Sequence, residues 1–273
     1  LDLWSLRDAL LDAHRRGVAV RVVMESESLD SEEVQDLQEA GIQIVDDRRE
    51  GLMHNKFAIL DRREVWSGSM NFTVSGAYRS DNNLVRIQSQ ELAEDYLVEF
   101  EEMFLDHQFG PDSPANTPRP IMDIDGTRLE VYFSPDDGTM ARMLELVQDA
   151  QESILFLAYS FTDDDLAAAL IGAHNSGLGV AGVMDKSQAL SNTGGEYQNL
   201  LENGIGVRLD GNPNSMHHKV IIIDGEIVVT GSYNFSKSAR TRNDENTLIF
   251  HSAEVAEIYF SEFERVWGNA EDQ

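Results

Sequence analysis

The chain has 273 residues, of which 41% are apolar, and this is enough to bury a substantial core. It contains 49 acidic and 21 basic residues, for a formal net charge of −28, and no cysteine, which excludes disulfides, a thiol nucleophile and a cysteine-ligated zinc site. The acidic balance favours a well-solvated surface and disfavours polyanionic partners, because binding along a nucleic-acid duplex needs clusters of Lys and Arg. No segment is apolar enough over a sufficient length to span a bilayer, and the sequence does not indicate a cell compartment.

The first half of the chain predicts alternating helices and strands. In chain order these are a helix at 3–15, a strand at 18–24, a short helix at 31–40, strands at 42–45, 57–60, 65–67 and 84–87, and a closing amphipathic helix. The turn between the strands at 57–60 and 65–67 predicts a hairpin. The segment 106–124 contains four of the six prolines and is predicted to be a linker.

The second half repeats this order with extra elements at its start. It predicts a strand at 129–133, a helix at 139–150, a strand at 154–159, a helix at 164–174, a strand at 180–184, a short helix at 196–203, strands at 205–209, 220–223, 227–230 and 247–250, and a closing helix. The alternation predicts an α/β fold with mixed, mostly parallel sheets flanked by helices. We therefore divide the chain into a first repeat at 1–109, a proline-rich linker at 110–124 and a second repeat at 125–273.

One polar motif occurs in both halves. Residues 53–61 read Met-His-Asn-Lys-Phe-Ala-Ile-Leu-Asp, and Gly-Ser-Met-Asn-Phe follows at 68–72. Residues 216–224 read Met-His-His-Lys-Val-Ile-Ile-Ile-Asp, and Gly-Ser-Tyr-Asn-Phe follows at 231–235. Every polar group recurs at an offset of 163, which is the difference between His217 and His54. This agreement indicates an internal duplication.

The spacing within each motif brings polar side chains together. Because side chains alternate along a strand, His54 and Lys56 share one face, as do His217 and Lys219. A hairpin then returns the chain to Gly-Ser-x-Asn, so that an imidazole, an ammonium, a hydroxyl and an amide converge. Two such sets provide the groups for phosphoryl transfer through a covalent intermediate without metal. No His, Asp and Glu cluster has metal-ligand spacing, so we predict no metal and no cofactor.

The two motifs resemble the signature of the phospholipase D superfamily, His-x-Lys-x4-Asp followed by Gly-Ser-x-Asn, and both copies match it in full. The resemblance implies two tandem phospholipase D-like α/β units related by a pseudo-twofold axis. One chain then carries both half-sites, so that a monomer suffices and no protein partner is required. The first unit has no counterpart of the strand, helix and strand that open the second, and Leu1 aligns near Phe161. We therefore expect that the first unit lacks its opening strands and that the chain is a fragment.

The resemblance also implies roles for the motif residues. One motif histidine attacks phosphorus to form a phosphohistidine, and the other protonates the leaving alcohol and then activates water or an acceptor alcohol. The expected catalytic residues are His54, Lys56, Asn71, His217, Lys219, Asn234 and Glu245, and the expected supporting residues are Asp61, Ser69, Asn82, Asp224 and Ser232. Lysines and asparagines are expected to bind the nonbridging phosphate oxygens, serines to orient those donors, and the two aspartates to act structurally at the strand ends.

A difference between the copies distinguishes the two histidines. Glu245 occupies the position of Asn82 at the offset of 163. In this family a polar residue near that position can orient the motif histidine, and a carboxylate raises the pKa of its histidine more than an amide does. We therefore expect Glu245 to lie beside His217, which would act as the general acid. We expect Asn82 to lie beside His54, which would act as the nucleophile.

The leading hypothesis is a metal-independent phosphodiester hydrolase that acts on phospholipid, by hydrolysis or by transfer to an alcohol. The acidic balance fits a lipid substrate better than nucleic acid. The alternative is a nuclease that cleaves DNA or RNA, because Tyr-Ser-Phe-Thr-Asp at 159–163 and the Met-His-His-Lys of the second motif are similar to small bacterial phospholipase D-like proteins and the related nucleases. A third hypothesis is an inactive binding module that retains the fold, and the intact His, Lys and Asn in both copies argue against it.

Overall fold

The computed structural model describes residues 1–271, so the last two residues of the predicted second repeat lie outside the described residues. In the first half the elements are α1 (Trp4–Arg15), β1 (Arg21–Met24), α2 (Glu32–Glu39), β2 (Gln43–Asp46), β3 (Phe57–Leu60), β4 (Glu64–Gly68), α3 (Val74–Tyr78), β5 (Leu84–Gln88) and α4 (Gln90–Phe104). The order and type of the elements predicted for this half are confirmed. The short helix α3 is an addition, and the Thr73 hydroxyl caps its first turn by accepting from Gly76 N.

The second half contains more elements than were predicted. They are β6 (Ile121–Ile124), β7 (Thr127–Ser134), α5 (Thr139–Asp149), β8 (Ser153–Ala158), α6 (Asp164–Asn175), β9 (Gly179–Met184), α7 (Lys186–Ser191), α8 (Tyr197–Glu202), β10 (Gly206–Leu209), β11 (Lys219–Ile223), β12 (Ile227–Gly231), α9 (Lys237–Thr241), β13 (Glu245–His251) and α10 (Ala253–Asn269). The predicted elements are all present, and β6, α7 and α9 are additions. Strand β6 lies at the end of the proline-rich segment and forms a hairpin with β7. Of the helices that the structure describes, none has both the length and the apolar character needed to cross a membrane.

The second repeat is built on one mixed sheet of eight strands, in the order β10-β9-β8-β11-β12-β13-β7-β6. Strands β8, β9 and β10 pair in parallel, because helices connect them. From β8 across β11 to β6 every pairing is antiparallel. The sheet is mixed, as predicted, but the expectation that it is mostly parallel is wrong. The antiparallel pairs come from two hairpins, β6–β7 and β11–β12, and from strands that are further apart in sequence, as in β8 with β11 and β13 with β7.

The first repeat has two separate sheets instead of one. Strands β1 and β2 pair in parallel, and β3, β4 and β5 form an antiparallel meander. In the second repeat β8 lies between β9 and β11, which are the counterparts of β1 and β3. Within residues 1–271, no strand occupies the corresponding place between β1 and β3. The break agrees with the expectation that the first unit lacks an opening strand.

A shared apolar core joins the two repeats. Tyr96 of α4 packs edge-on against Phe57 of β3 and Phe133 of β7, with ring centroids 4.9 and 5.0 Å apart. Val65 of β4 and Val228 of β12 are fully buried in the same core. Strand β4 also contacts β12. The two motif hairpins therefore meet across the centre of the molecule, and their polar ends come together.

Candidate active site

Each motif histidine lies in a short segment that leads into a strand. His54 and Lys56 come directly before β3, and His217 precedes β11, which begins at Lys219. The ammonium group of each lysine donates to the main-chain oxygen of its own histidine, over 2.6 Å for Lys56 and 2.7 Å for Lys219. The two copies of the motif therefore have the same local geometry.

The glycine of each Gly-Ser-x-Asn segment permits a close approach of two strands. Gly68 ends β4 with φ 155° and Gly231 ends β12 with φ 151°. A Cβ at either position would collide with the carbonyl oxygen of Asn83 or Asn246 on the neighbouring strand. Only glycine avoids this contact, and the serine after each glycine is thereby brought against the start of β5 or β13.

The main chains of the two motifs cross between the repeats. His54 N donates to Asp244 O over 3.0 Å, and His217 N donates to Asp81 O over 2.8 Å. Asp244 lies 163 residues after Asp81, so each contact is the counterpart of the other. This reciprocity is the signature of a twofold relation between the halves.

The side chains that orient the histidines also cross between the repeats. Nδ1 of His54 lies 2.7 Å from Oε2 of Glu245, and Nδ1 of His217 lies 2.9 Å from Oδ1 of Asn82. The expected pairing of Glu245 with His217 and of Asn82 with His54 is therefore wrong. Position along the repeat identified the orienting residues correctly. Because the main chains cross, however, the start of β13 lies beside His54 and the residues just before β5 lie beside His217.

The motif serines hold these orienting residues in place. The Ser232 hydroxyl donates to Oε2 of Glu245 over 2.7 Å, and the Ser69 hydroxyl donates to Oδ1 of Asn82 over 3.0 Å. The amide nitrogen of Asn82 donates to Gly76 O over 3.0 Å, which fixes the orientation of that side chain. The serines thus act on Glu245 and Asn82, and we find no hydrogen bond from either hydroxyl to a motif lysine within residues 1–271.

The hydrogen bonds of His217 define its tautomer. Nδ1 faces two acceptors, because it also lies 3.0 Å from the carbonyl oxygen of Ser69. A nitrogen between two acceptors carries the hydrogen, so the lone pair is on Nε2. In the part of the chain that the structure describes, Nε2 of His54 and Nε2 of His217 make no hydrogen bond to protein. Both nitrogens are available to a substrate.

Two buried ammonium groups give the site its charge. Lys56 is 5% exposed and Lys219 is 2% exposed. Burial lowers the pKa of Lys56 to about 8, although the charge of Glu245 opposes this. Burial also lowers the pKa of Lys219 well below its ordinary value, and the charge of Lys56 lowers it further. The two lysines act on each other and therefore belong to one site.

Both histidines are disposed to be neutral before substrate binds. Burial lowers the pKa of His217 strongly, and the charges of Lys219, Lys56 and His54 add to this effect. Burial also lowers the pKa of His54, but Glu245 opposes the change. Burial alone would raise the pKa of Glu245; contact with the His54 ring, the charge of Lys56 and the hydrogen bond from Ser232 outweigh burial and hold that pKa below its ordinary value. Each half-site thus acts electrostatically on the other.

The two motif asparagines are partly exposed, unlike the lysines. Oδ1 of Asn234 is buried and has no hydrogen-bond partner among the described residues. No side-chain hydrogen bond is found for Asn71 in residues 1–271 either. The Nδ2 groups of both asparagines also make no hydrogen bond to protein among the described residues, and these donors are the atoms that could bind phosphate oxygens.

The motif aspartates lie at the other end of the strands. Asp224 follows β11, and at about 3.3 Å per residue it is some 16 Å from Lys219. Its carboxylate accepts hydrogen bonds from the amides of Gln151, Glu152 and Ser153 at the start of β8. Asp61 has the same position after β3. Asp224 therefore ties the end of β11 to the start of β8, while the structural role of Asp61 stays a prediction.

A second polar layer lies behind the histidines and was not predicted from the sequence. His218 contacts Glu262 through Nε2 at 2.8 Å and Asn83 through Nδ1 at 3.2 Å. The counterpart of His218 is Asn55, which donates to Glu99 over 3.1 Å. Both residues are the middle one of His-x-Lys. Strand alternation, which turns that residue away from its neighbours, was the sequence signal that could have located this layer.

Tyr159 is a further residue of the site that the motifs do not include. Its ring centroid lies 4.4 Å from that of His217, and Nζ of Lys219 lies 4.6 Å from the ring centroid. Tyr159 directly follows β8. Residues 1–271 contain no group of three His, Asp or Glu side chains arranged to hold a metal ion. The positive charge next to the histidines comes from Lys56 and Lys219.

Comparisons with known proteins agree with this geometry. A family model described as "Cardiolipin synthase, PLD-like domain" matches residues 2–104 and 143–267. The chain is similar to a phospholipase D of Rickettsia bellii (strain RML369-C), with 34% identity over 151 residues, which are 53% of this chain and 75% of that protein. It is also similar to a mitochondrial cardiolipin hydrolase of Xenopus tropicalis, with 34% identity over 131 residues, which are 48% of this chain and 62% of that protein.

Solved structures match the chain at two scales. Nuc from Salmonella typhimurium, a phospholipase D family member, aligns with a TM-score of 0.51 and 32% identity over 54% of this chain and 98% of its own. A phosphatidylserine synthase of Haemophilus influenzae Rd KW20 aligns with a TM-score of 0.73 over 96% of this chain and 76% of its own, and at 14% identity this likeness shows the fold alone. Because the family model covers most of the sequence and both motifs are complete, the chain belongs to the phospholipase D superfamily.

Proposed function

We propose that this chain is a phosphodiesterase of the phospholipase D type that cleaves the head-group ester of phospholipids through a phosphohistidine on His54. The observation that supports it best is the crossing of the two motifs, which assembles two imidazoles, two ammonium groups and one buried carboxylate in a single site. One chain supplies both half-sites, so the proposed enzyme acts as a monomer.

In the first step, Nε2 of His54 attacks phosphorus and the bond from phosphorus to the head-group oxygen breaks. His217, protonated on Nε2 in the substrate complex, gives that proton to the departing oxygen. Lys56, Lys219 and the amides of the two motif asparagines bind the nonbridging oxygens, where negative charge accumulates. A bound phosphodiester anion also offsets the mutual repulsion of the cations, and so raises the lowered pKa values of His217 and Lys219.

In the second step, water attacks phosphorus and His217 accepts its proton. The bond between phosphorus and His54 then breaks, which releases phosphatidate and restores the free imidazole. The enzyme therefore needs one histidine that carries phosphorus and another that moves a proton twice.

The carboxylate of Glu245 supports His54 as the nucleophile. Attack through Nε2 leaves positive charge on a ring whose Nδ1 still carries hydrogen, and an ionised carboxylate 2.7 Å from Nδ1 stabilises that charge for the lifetime of the intermediate. His217 has only neutral oxygens at its Nδ1, so it releases a proton more readily. We therefore still propose His54 as the nucleophile and His217 as the general acid, but now because Glu245 stabilises the charged His54 ring.

The test of these roles uses a substrate whose leaving group needs no acid, bis(p-nitrophenyl) phosphate. The His217→Ala variant is expected to form and accumulate an acid-labile phosphoenzyme, because attack is retained and water activation is lost. The His54→Ala variant is expected to form none. Phosphoenzyme on the His54→Ala variant and its loss on the His217→Ala variant would reverse the assignment.

Exposed apolar side chains on segments that are linked to the motifs, by sequence or by hydrogen bonds, support a lipid substrate. Leu52 is 40% exposed and lies two residues before His54, and its carbonyl accepts a hydrogen bond from Asp244 N. Tyr78, 69% exposed, ends the helix that follows the first Gly-Ser-x-Asn. Leu190 is 64% exposed and lies on α7. This helix directly follows Asp185, whose carboxylate accepts a hydrogen bond from Met216 N. Exposed apolar groups on segments bonded to the motifs fit acyl chains better than a polyanion.

The basic residues next to the second motif give little support to a nucleic-acid substrate. Arg240 pairs with Asp165, and Arg242 lies 3.5 Å from Glu50. Neutralised cations contribute little to phosphate binding along a polymer. A nuclease and an inactive binding module remain the competing outcomes of the substrate test.

Substrate class is tested by assaying dihexanoyl phosphatidylcholine, single-stranded DNA and bis(p-nitrophenyl) phosphate in parallel, in EDTA, with His54→Ala as the blank. The proposal expects choline release and cleavage of the small ester, with DNA cleavage lower by at least about tenfold in kcat/KM. Cleavage of DNA alone would assign the nuclease function. No turnover of any substrate would assign the binding module. Activity that EDTA abolishes would contradict the metal-free mechanism.

A further inference from the structure

We infer that Asp244 is a positioning residue for His54, and that the start of the proline-rich segment helps to hold it. Asp244 is fully buried, and its carboxylate binds two segments of the chain that lie before the second repeat. One oxygen accepts from the guanidinium of Arg49, in the loop between β2 and β3, and the other accepts from Gly110 N. This role rests on the proposed function, because His54 is the proposed nucleophile.

The main chain of Asp244 is paired with the segment that leads to His54. Asp244 N donates to Leu52 O over 2.9 Å, and His54 N donates to Asp244 O over 3.0 Å. The next residue, Glu245, has its carboxylate 2.7 Å from Nδ1 of His54. Two consecutive residues therefore bind one histidine, because Asp244 holds its main chain and Glu245 holds its ring. A displacement of Asp244 changes both contacts.

The guanidinium of Arg49 joins the segments that meet at Asp244. Besides the Asp244 carboxylate, it donates to Leu52 O over 3.2 Å and to Arg242 O. These acceptors lie just before β13, just before His54 and just after α9. Arginine has five donors in a planar fork and lysine has a single ammonium group, so lysine cannot make this set of contacts. We call the three residues Arg49, Gly110 and Asp244 the Asp244 clamp.

Two glycines leave room for the guanidinium of Arg49. Gly110 has φ 56°, in the region that favours glycine, and a Cβ there would lie 2.6 Å from Arg242 O and against Nη1 of Arg49. A Cβ at Gly51 would meet the same two atoms. A side chain at either position would therefore displace Arg49 from the carboxylate. The proline-rich segment thus forms one wall of the Asp244 clamp as well as connecting the repeats.

Arg49 provides the positive charge beside Asp244. Asp47, Glu99 and Asp136 also act on Asp244, and all three are acidic. Burial raises the pKa of Asp244 to about 6, and the charge of Arg49 opposes this change. A clamp without the guanidinium would therefore hold a carboxylate that is more easily protonated.

An aspartate at the equivalent position of the first repeat is held in the same way. Asp81 lies 163 residues before Asp244. Its main-chain oxygen accepts from His217 N over 2.8 Å, and its main-chain nitrogen donates to Ser215 O over 2.9 Å. Its carboxylate accepts from the guanidinium of Arg265 on α10 over 2.6 Å. Each aspartate thus contacts the other repeat's histidine and is bound by an arginine of that histidine's own repeat.

The two arginines do not occupy equivalent positions. At the offset of 163, the counterpart of Arg49 is Asn212 and the counterpart of Arg265 is Glu102. The internal duplication therefore does not by itself account for a guanidinium at each aspartate. The side chains of Arg49 and Asp244 are 20% and 1% exposed, and those of Arg265 and Asp81 are 47% and 18% exposed. Because solvent weakens an exposed ion pair, the Asp244 clamp has the larger expected effect.

The test follows the ring nitrogens of His54 and His217 by ¹⁵N NMR in the 273-residue chain, together with turnover of bis(p-nitrophenyl) phosphate. Arg49→Lys and Asp244→Asn are expected to loosen the contact between His54 and Glu245. The Nε2–H tautomer of His54 then gains population, and the signals of His217 stay unchanged. The kcat of both variants is expected to fall by about tenfold or more, because a small misplacement of a reacting group has a large cost.

The equivalent pair in the first repeat is the matched control. Arg265→Lys and Asp81→Asn are expected to change the ring signals of His217 alone and to lower kcat by less than about fivefold. Gly110→Ala should repeat the effect of Arg49→Lys. Gly126 has φ 85° and open space around a Cβ, so Gly126→Ala should leave both histidines and kcat unchanged.

Unchanged His54 signals in both Arg49→Lys and Asp244→Asn would overturn the role of the Asp244 clamp. Equal changes at both histidines, which would mean a general loosening of the fold, or a fall in kcat without a change at His54 would overturn it too. The proposed function fails separately. A wild-type chain without turnover, in which His54 still responds to the clamp variants, rejects the phosphodiesterase and keeps the clamp. Wild-type turnover with an unresponsive His54 does the reverse.

Discussion

The two repeats differ most in their sheets and least in their motifs. The second repeat has a continuous eight-stranded sheet, and the first has two sheets of two and three strands. Even so, Lys56 and Lys219 reach their histidine carbonyls over 2.6 and 2.7 Å, and His54 and His217 make matching main-chain bonds across the molecule. The motif geometry is therefore not set by a complete sheet within the same repeat.

The comparison indicates that each half-site is held by the opposite repeat. His54 takes its main-chain partner and its orienting carboxylate from Asp244 and Glu245, and His217 takes its partners from Asp81 and Asn82. The break between β1 and β3 leaves these central contacts in place.

The largest effect is expected from the buried lysines, in which the repeats are equivalent. Lys56→Met and Lys219→Met should each lower kcat/KM by about 10³-fold, because each removes a charge from the transition state. Each should also raise the free energy of unfolding at pH 7 by about 1 to 3 kcal/mol, because a buried ammonium with a lowered pKa is costly to the fold.

Urea denaturation and steady-state kinetics check these two changes, with the half-exposed Lys186→Met as the matched control. The sign follows from linkage. The unfolded chain binds a proton at Lys56 up to about pH 10.5 and the folded chain only to about pH 8, so stability rises with pH between those values. Loss of stability in both variants would contradict the account.

The next effect concerns the charge that distinguishes the half-sites. Glu245→Gln should lower kcat by about 10²-fold, because the phosphohistidine loses its stabilising carboxylate. Asn82→Asp should raise the pKa of His217 and move the alkaline limb of the kcat profile, where the general acid loses its proton, to higher pH. The exposed Glu226→Gln is the control. Equal, small effects of Glu245→Gln and Glu226→Gln would mean that the carboxylate has no role.

Truncating an apolar side chain should cost less stability in β3, which pairs on one side, than in β11, which pairs on both sides. Ile223→Ala should destabilise the chain by about 2 to 4 kcal/mol, because Ile223 is 1% exposed, and Leu60→Ala by less than about 1 kcal/mol, because Leu60 is 46% exposed. Urea midpoints with an unchanged slope measure both. Similar costs would show that the edge of β3 is covered in solution.

The smallest effects are expected in the layer behind the histidines, where Arg265 of the second repeat has Glu102 as its counterpart in the first. Glu262 contacts His218 and Arg265. Burial would raise the pKa of Glu262, but the hydrogen bonds and charges of these two partners outweigh it and lower the pKa to about 2. At the equivalent positions Glu99 faces Asn55 and Glu102, and burial together with the Glu102 charge raises its pKa well above the ordinary value.

Glu99→Gln should therefore stabilise the chain at pH 7 and Glu262→Gln should destabilise it, each by about 1 kcal/mol. The contribution of Glu262 is present above about pH 4.5 and is lost as the pH falls toward 2. The contribution of Glu99 is present below about pH 4.5 and is lost as the pH rises through its raised pKa, so the benefit of Glu99→Gln disappears at low pH. Thermal unfolding at pH 4 and pH 7 measures both, and effects of the same sign would refute the comparison.

The sequence predicted which residues form the site but not which of them contact each other. The offset of 163 identified His54, His217, Glu245 and Asn82, because spacing along each copy is conserved within the chain. It could not show that Glu245 orients His54, because an internal repeat gives the position of a residue and not which copy it faces. The partners of Asn55 and His218 were missed because they come from the closing helices, 44 residues further along the chain.

For the fold as well, local features were predicted from the sequence and long-range contacts were not. Local apolar periodicity predicted the order of the elements, and the hairpins β3–β4 and β11–β12 were found where the turns predicted them. Sheet polarity was wrong because the pairing of β8 with β11 and of β13 with β7 joins segments that are distant in sequence. Such pairings depend on tertiary packing, which the spacing of apolar residues does not encode.

The central claim is that both repeats bind one phosphorus atom. A crystal structure of the chain with tungstate, an analogue of the transferred phosphoryl group, tests it most directly. The account predicts one tungstate per chain, with Nε2 of His54 and Nε2 of His217 on opposite sides and both lysines on its oxygens. Two separate ions, each held by one motif alone, or an ion that touches only one histidine, would contradict it.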